Sequence, residues 1–248
     1  MLAIIGGSGL TQLAALAAAR RETVQTPYGQ PSADLVRGKL AGREVIFLAR
    51  HGERHTIPPH RINYRANVWA LHAYNVRDVI SVATVGGIRD DFAPGTLVVP
   101  NQIIDYTHGR DSTFHEGGDE GVRHADFTHP YCEGLRQRLI NAASELGERV
   151  VDGATYAATQ GPRLETAAEI DRLERDGAHI VGMTAMPEAA LAREKALCYA
   201  AVALVVNHAA GRGESAAGIR LPDLENTLRK GMGRVVRIID RLAARYGD

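Results

Sequence analysis

Val45-Ile46-Phe47-Leu48-Ala49-Arg50-His51-Gly52 decides how the chain is read. Its apolar part is continuous, as in a strand buried on both faces. It stops at an arginine, a histidine and a glycine. A strand ending this way delivers a guanidinium and an imidazole to one point, and the glycine lets backbone come close to whatever binds there. Phosphate is the natural guest, because guanidinium offers paired donors in a rigid fork. Ile4-Ile5-Gly6-Gly7-Ser8-Gly9 and Thr84-Val85-Gly86-Gly87 have the same glycine-rich strand-end character.

Outward from these segments, short apolar runs alternate with helix-like ones. Leu2–Ile5, Val45–Ala49, Val79–Ala83, Thr96–Val99, Ile180–Gly182 and Ala200–Val206 read as strands. Asn63–Tyr74, Pro130–Leu146, Thr166–Asp176, Pro187–Ala196 and Asp223–Tyr246 read as helices, the last with apolar residues near helical spacing from Leu224 to Leu242. Leu13–Ala19 reads as a further short helical stretch. The pattern predicts an α/β fold forming one domain over residues 1–248. Thr107–His129 has few aliphatic residues and many His, Gly and Asp, so a long functional loop is expected there. In open α/β sheets ligands gather at the carboxyl ends of strands. Ser8, Arg50-His51, Thr84-Val85-Gly86, Met183-Thr184 and Asn207 all follow or end predicted strands.

Composition narrows the functional classes. Lys plus Arg and Asp plus Glu both number 29, so formal net charge is zero. That argues against a nucleic-acid binder or a membrane-surface binder, while leaving room for a local anion site. No run approaches the roughly 18 apolar residues of a membrane span, and no leader segment is apparent. The two cysteines, Cys132 and Cys198, make a disulfide framework an unexpected feature and fit a cytoplasmic location.

Several motifs have plain competing readings. Gly6-Gly7-Ser8-Gly9 lacks the third glycine of a dinucleotide fingerprint and the last glycine of a nucleophile elbow. It remains a turn with exposed amides and one hydroxyl, suited to an oxyanion or simply joining a strand to a helix. His51 and His55 have the spacing of a zinc pair, but Gly52 between them and Pro58-Pro59 after them speak against a metal-binding helix. No metal is expected. His108, His115, His124 and His129 lack regular spacing and read mainly as a polar loop. In Gly161-Pro162-Arg163-Leu164-Glu165-Thr166, Thr166 suits a helix N-cap. Glu165 suits either a first-turn acid or an acceptor for a heterocycle N–H.

Taken together, the segments resemble the trimeric purine nucleoside phosphorylase and 5′-methylthioadenosine phosphorylase family over nearly the whole chain. The resemblance rests on Gly6-Gly7-Ser8-Gly9-Leu10, Thr26-Pro27-Tyr28-Gly29, Leu48-Ala49-Arg50-His51-Gly52, Asn63-Tyr64-Arg65-Ala66-Asn67, Gly86-Gly87-Ile88-Arg89, Gly161-Pro162-Arg163 and Gly182-Met183-Thr184-Ala185-Met186-Pro187-Glu188. It implies a mixed central β-sheet, partly closed into a barrel and flanked by helices. It also implies phosphorolysis of a purine nucleoside, with inorganic phosphate as co-substrate and no cofactor. By position it assigns Ser8, Arg50, His51, Thr84 and Thr184 to phosphate. Val85, Gly86 and Leu164 go to the base, and Met183 to the ribose. A homotrimer follows from the same resemblance, with His124 reaching a neighbour's sugar site.

The departures from the family pattern concern specificity. The methylthioadenosine branch carries an Asp-x-Asp where this chain has Asn207-His208-Ala209, and a serine where it has Glu165. Glu165 can accept from the N1–H of a 6-oxopurine, and the Asn207 amide can donate to O6 or N7. Adenine would set an unprotonated N1 against the carboxylate, a mispairing of about 1–3 kcal/mol. At the 5′ end, Leu221 and Leu224 stand where ordinary nucleoside phosphorylases use a histidine, and they favour a methylthio group. Asn207, Glu165 and His51 are the expected catalytic residues. The expected reaction converts 5′-methylthioinosine to hypoxanthine and 5-methylthioribose 1-phosphate. A methylthioadenosine phosphorylase, a general inosine/guanosine phosphorylase and a non-catalytic nucleoside-binding module are the alternatives.

Overall fold

The computed structural model describes residues 1–220 and 224–246. In chain order these form β1 (Leu2–Gly6), β2 (Ala17–Glu22), β3 (Leu35–Leu40), β4 (Arg43–Ala49), α1 (Tyr64–Ala73), β5 (Asp78–Gly87), β6 (Leu97–Val99) and β7 (Gln102–Asp105). Then follow α2 (Glu133–Glu145), β8 (Val150–Asp152), β9 (Thr155–Ala158), α3 (Ala167–Arg175), β10 (Ile180–Gly182), α4 (Ala185–Glu194), β11 (Cys198–His208) and α5 (Leu224–Ala244). The strands join in one mixed sheet ordered β2-β3-β4-β1-β5-β10-β9-β7, which branches at β5 to β11, β6 and β8.

At the centre, β1 pairs in parallel with β4 and β5, and β5 pairs in parallel with β11. These are the continuous apolar runs of the sequence, and both faces of them are covered. Ala3, Ile5, Val79, Ala83 and Val205 pack toward Val68 and Leu71 of α1 and Leu191 of α4. Leu2, Ile4, Ile80, Val82 and Leu204 face the other way, toward Leu135 and Leu139 of α2 and Val235, Ile239 and Leu242 of α5. The period-two alternation thus feeds two cores from one sheet. Each fully buried Leu or Ile contributes about 1.5–3 kcal/mol.

Helix boundaries follow capping chemistry. Asn63 caps α1 by accepting from the Ala66 N–H. Thr166 and Glu169 form a reciprocal capping box on α3. Apart from Leu13–Ala19, the predicted strands and helices stand, with ends shifted by a few residues, and 107–117 and 121–132 are irregular, as expected of the long loop.

Two expectations are corrected. Leu13–Ala19 is not helical: Leu13 and Leu16 pack on a core, and the chain turns into β2, which pairs with β3 through an irregular register in which Ala18 takes φ 52°. Alanine's helix preference is a weak prior that sheet pairing overrides. The cysteines, unremarkable in the sequence, are joined: Cys132 and Cys198 form a disulfide across 66 residues. The Cys132 N–H donates to the Tyr199 carbonyl at 2.7 Å, so the backbones already run side by side there. The cysteine count therefore no longer speaks for a reducing compartment.

The turn after β1 has no room for a side chain at Gly6. A β-carbon there would lie 2.0 Å from the Leu10 carbonyl oxygen and 2.6 Å from the Phe47 ring. Gly6→Ala should therefore lower stability by at least about 1–3 kcal/mol, as overpacking does. The check is the urea midpoint at unchanged slope, and a midpoint equal to the parent's would show that the turn yields freely.

Candidate active site

The carboxyl ends of β1, β4, β5 and β11, with the turn after β10, enclose a cavity of about 200 Å³. Ser8, Arg50, His51, Thr84, Val85, Gly86, Leu164, Glu165, Met183, Thr184, Asn207, Ile219 and Leu224 are among the residues that line it. The predicted site residues are thus brought together, with two exceptions. Leu221 lies outside the described residues, and His124 is exposed on the long loop away from this cavity.

Arg50 is wholly buried, and its fork does not face open space. Nε and Nη2 donate to the two carboxylate oxygens of Glu188 at 2.6 and 2.9 Å. Nη2 also donates to Ser81 Oγ at 2.7 Å, and Nη1 to the Val82 carbonyl at 2.9 Å. One Nη1 hydrogen is left over. Glu188, equally buried, also accepts from the Ser81 and Tyr199 hydroxyls at 2.9 and 2.8 Å. Burial works against the guanidinium charge, but Glu188 outweighs it and holds the group above its ordinary value. The pair ties the end of β4 to α4 and to the middle of β5.

His51 Nδ1 sits 2.8 Å from the Ile57 carbonyl, which makes Nδ1–H the donor and leaves Nε2 an acceptor. Burial, and then the Arg50 charge, push its pKa down to about 4. The imidazole is neutral at physiological pH. Its ring lies 4.5 Å from that of His55, whose Nε2 is 3.4 Å from Ser8 Oγ. Thr184 stands at the N-cap of α4, yet its hydroxyl makes no capping bond.

At the opposite end, Glu165 Oε1 accepts from Thr159 Oγ1 at 2.6 Å, and Oε2 accepts no hydrogen bond from the described residues. Glu165 precedes the N-cap of α3, and the first-turn acid of that helix is Glu169. The plain helix-dipole reading thus belongs to Glu169. Asn207 is placed by a β-bulge: Val205 pairs with Val85 and Asn207 with Gly86, so Val206 is extra. Bulges of this kind re-aim a side chain. One Asn207 amide hydrogen goes to the His208 carbonyl at 2.6 Å, leaving a second N–H and the amide oxygen.

Three residues that shape the site went unassigned in the sequence reading: Glu188, Thr159 and Arg110. Arg110, from the long loop, donates to the carbonyls of Met183 and Met186 at 2.8 and 2.6 Å and to that of Gln160 at 2.8 Å. It thereby stitches the Met183 turn to the segment carrying Thr159 and Glu165. The cis Gly161–Pro162 bond lies in that segment, and Gly161, at φ 62°, leaves room for the Met183 sulfur, which a β-carbon would meet at 2.3 Å. For Glu188 a signal existed, because a buried strand-end arginine needs a carboxylate. Nothing local marks Thr159 or Arg110. Among the described residues, no group of three or more His, Cys, Asp or Glu side chains is placed to hold a metal.

Comparison with known proteins gives the class. Residues 1–244 match the family model of the phosphorylase superfamily. A probable S-methyl-5′-thioinosine phosphorylase of Pseudomonas syringae pv. tomato is 52% identical over 240 residues, 97% of each chain. A 6-oxopurine nucleoside phosphorylase of Pyrococcus furiosus is 48% identical over 215 residues, 85% of this chain and 80% of that one. The methylthioadenosine phosphorylase of Schistosoma mansoni, solved with adenine, superposes with a TM-score of 0.92 at 32% identity. That superposition covers 99% of this chain and 91% of the other. The chain belongs to the phosphorylase superfamily and is an enzyme of the nucleoside phosphorylase type, a pentosyltransferase.

Glu188→Gln would leave the Arg50 charge buried without its counter-ion. Breaking such a pair from one side costs about 3–5 kcal/mol, so a large fall in the denaturation midpoint is expected. An unchanged midpoint would mean that the guanidinium has another route to neutralisation.

Proposed function

We propose that this enzyme carries out phosphorolysis of 5′-methylthioinosine. A phosphate oxygen forms the new bond to C1′ as the C1′–N9 bond breaks, and the electron pair leaves with hypoxanthine, giving 5-methylthioribose 1-phosphate. The observation that carries this reading is one cavity lined both by Glu165 and Asn207 and by aliphatic Ile219 and Leu224. Glu165 Oε2 suits the N1–H of a 6-oxopurine. The spare Asn207 N–H suits N7 or O6, where charge gathers as the bond breaks. The aliphatic wall suits a thioether and would leave a 5′-hydroxyl without a partner. Ser8, His51, Thr84, Thr184 and the remaining Arg50 N–H face the phosphate, and Met183 the ribose. Asn207, Glu165 and His51 act in catalysis.

The chemistry calls for no metal or organic cofactor. The partners are a purine nucleoside and phosphate, with no nucleic acid and no membrane. The single domain works as a homotrimer in the cytoplasm. In that assembly His124, exposed in one chain, completes a neighbour's sugar site.

Phosphate-dependent rates on methylthioinosine, methylthioadenosine and inosine test the specificity. Methylthioinosine should lead both others by about tenfold or more. A lead for methylthioadenosine would overturn the base pocket, and parity with inosine the aliphatic wall. Asn207→Asp, alone or with Ala209→Asp, should move kcat/KM toward the 6-amino substrate by at least about tenfold. An unmoved ratio would remove Asn207 from discrimination. The trimer is tested by complementation: mixing His124→Ala with Glu165→Ala subunits should give more activity than either alone. No gain after verified subunit exchange would confine His124 to its own chain.

A further inference from the structure

We propose that the phosphate end of the cavity selects an oxyanion that still carries a proton: hydrogen phosphate or arsenate binds by donating its P–O–H or As–O–H hydrogen to His51 Nε2, and sulfate is discriminated against. This rests on the reading of the Ser8–Thr184 end as the phosphate site.

Two independent observations lead here. The first is the orientation of His51. Its Nδ1 lies 2.8 Å from the Ile57 carbonyl, an acceptor that can only receive a hydrogen. A neutral imidazole carries one N–H, so that hydrogen bond fixes the tautomer and leaves a lone pair on Nε2. Among the described residues no donor meets Nε2, and the ring lines the cavity. The second is the charge around it. Arg50 is the only arginine or lysine among the described residues lining the cavity, and its fork is closed on Glu188. The anion therefore meets hydroxyls, amides and one guanidinium N–H, with no net positive charge to recruit it.

The balance of groups bearing on His51 disfavours its protonation. Burial opposes it most, then the adjoining Arg50 and His55, while the Ile57 carbonyl and, beyond Arg50, Glu188 favour it more weakly. A fully ionised tetrahedral anion would press an oxygen lone pair against that of Nε2. Hydrogen phosphate turns the same contact into a hydrogen bond. Sulfate has no proton to give near neutral pH. The same logic shapes acid dependence: as pH falls and His51 takes up a proton, Nε2 becomes a donor and the objection to sulfate fades.

Competition at equilibrium decides the matter. Phosphate, arsenate and sulfate are titrated into the nucleoside-free protein by calorimetry near neutral pH and again at the lowest pH where the fold persists. Phosphate and arsenate should bind at least about tenfold more tightly than sulfate near neutrality, the size expected from one mispaired polar contact. The gap should narrow on acidification. His51→Ala should weaken phosphate and leave sulfate unchanged or tighter, which a general loss of structure would not do. In ¹⁵N-histidine spectra of the phosphate complex, Nδ1 should carry the hydrogen and Nε2 should not. Equal affinities for phosphate and sulfate, or an Nε2–H tautomer in that complex, would overturn the proposal. Failure of the underlying reading shows separately, as base release that does not depend on phosphate. The binding and tautomer results judge the selection of the anion whichever way that comes out.

Discussion

The arrangement of this site depends on a buried ion pair. Arg50 and Glu188 are both inaccessible to solvent, and removing two charges from water costs several kcal/mol each before their attraction is counted. Such a pair is a poor source of stability unless every remaining donor and acceptor is met, and here nearly every one is. Glu188 collects donors from the residue after β4, from β5 and from β11, and Arg50 spends four hydrogen bonds on Glu188, Ser81 and Val82. The network spans 138 residues of sequence. Its return is positional: the end of β4 is fixed to α4 and β5, so His51, Thr184 and Thr84 are held without help from the ligand. Preorganised dipoles of this kind need not reorganise when charge develops.

The same pair explains what was legible in the sequence and what was not. Strand ends were legible, because continuous apolar runs that stop at Gly, Arg, His or Thr give both the strand and the place where chemistry gathers. Arg50 as a phosphate fork was the natural reading of a local motif. A buried strand-end arginine calls for a carboxylate, but nothing near Arg50 says which one, and Glu188 lies in a distant helix. Asn207 shows the same limit. Its identity pointed to 6-oxopurines, but its orientation comes from the extra Val206 in β11, and a bulge has no signature in an apolar run. Glu165 was ambiguous until the capping box assigned Glu169 to the helix and left Glu165 outside it. Among the strands that the sequence did not mark, β2 carries Ala-Ala-Ala-Arg-Arg-Glu and no fully buried side chain, so pairing alone makes it a strand.

The charges in the cavity bear on catalysis as well as binding. Arg50 is cancelled by Glu188, and His51 is held neutral by burial and by Arg50 itself. In the proposed reaction, what remains is the Glu165 carboxylate and the anion supplied by the co-substrate. A neutral nucleoside gains little from this field, whereas a ribose acquiring oxocarbenium character gains from negative charge placed nearby. An interaction stronger in the transition state than in the ground state raises the rate rather than the affinity alone. A freely exposed arginine at the same place would hold phosphate more tightly, and it would also oppose the cation that phosphate is there to capture. Closing the guanidinium on Glu188 removes that opposition and, on the proposed reading, leaves one N–H to orient the nucleophile, so the ion pair that fixes the geometry would also set the electrostatics of the reaction.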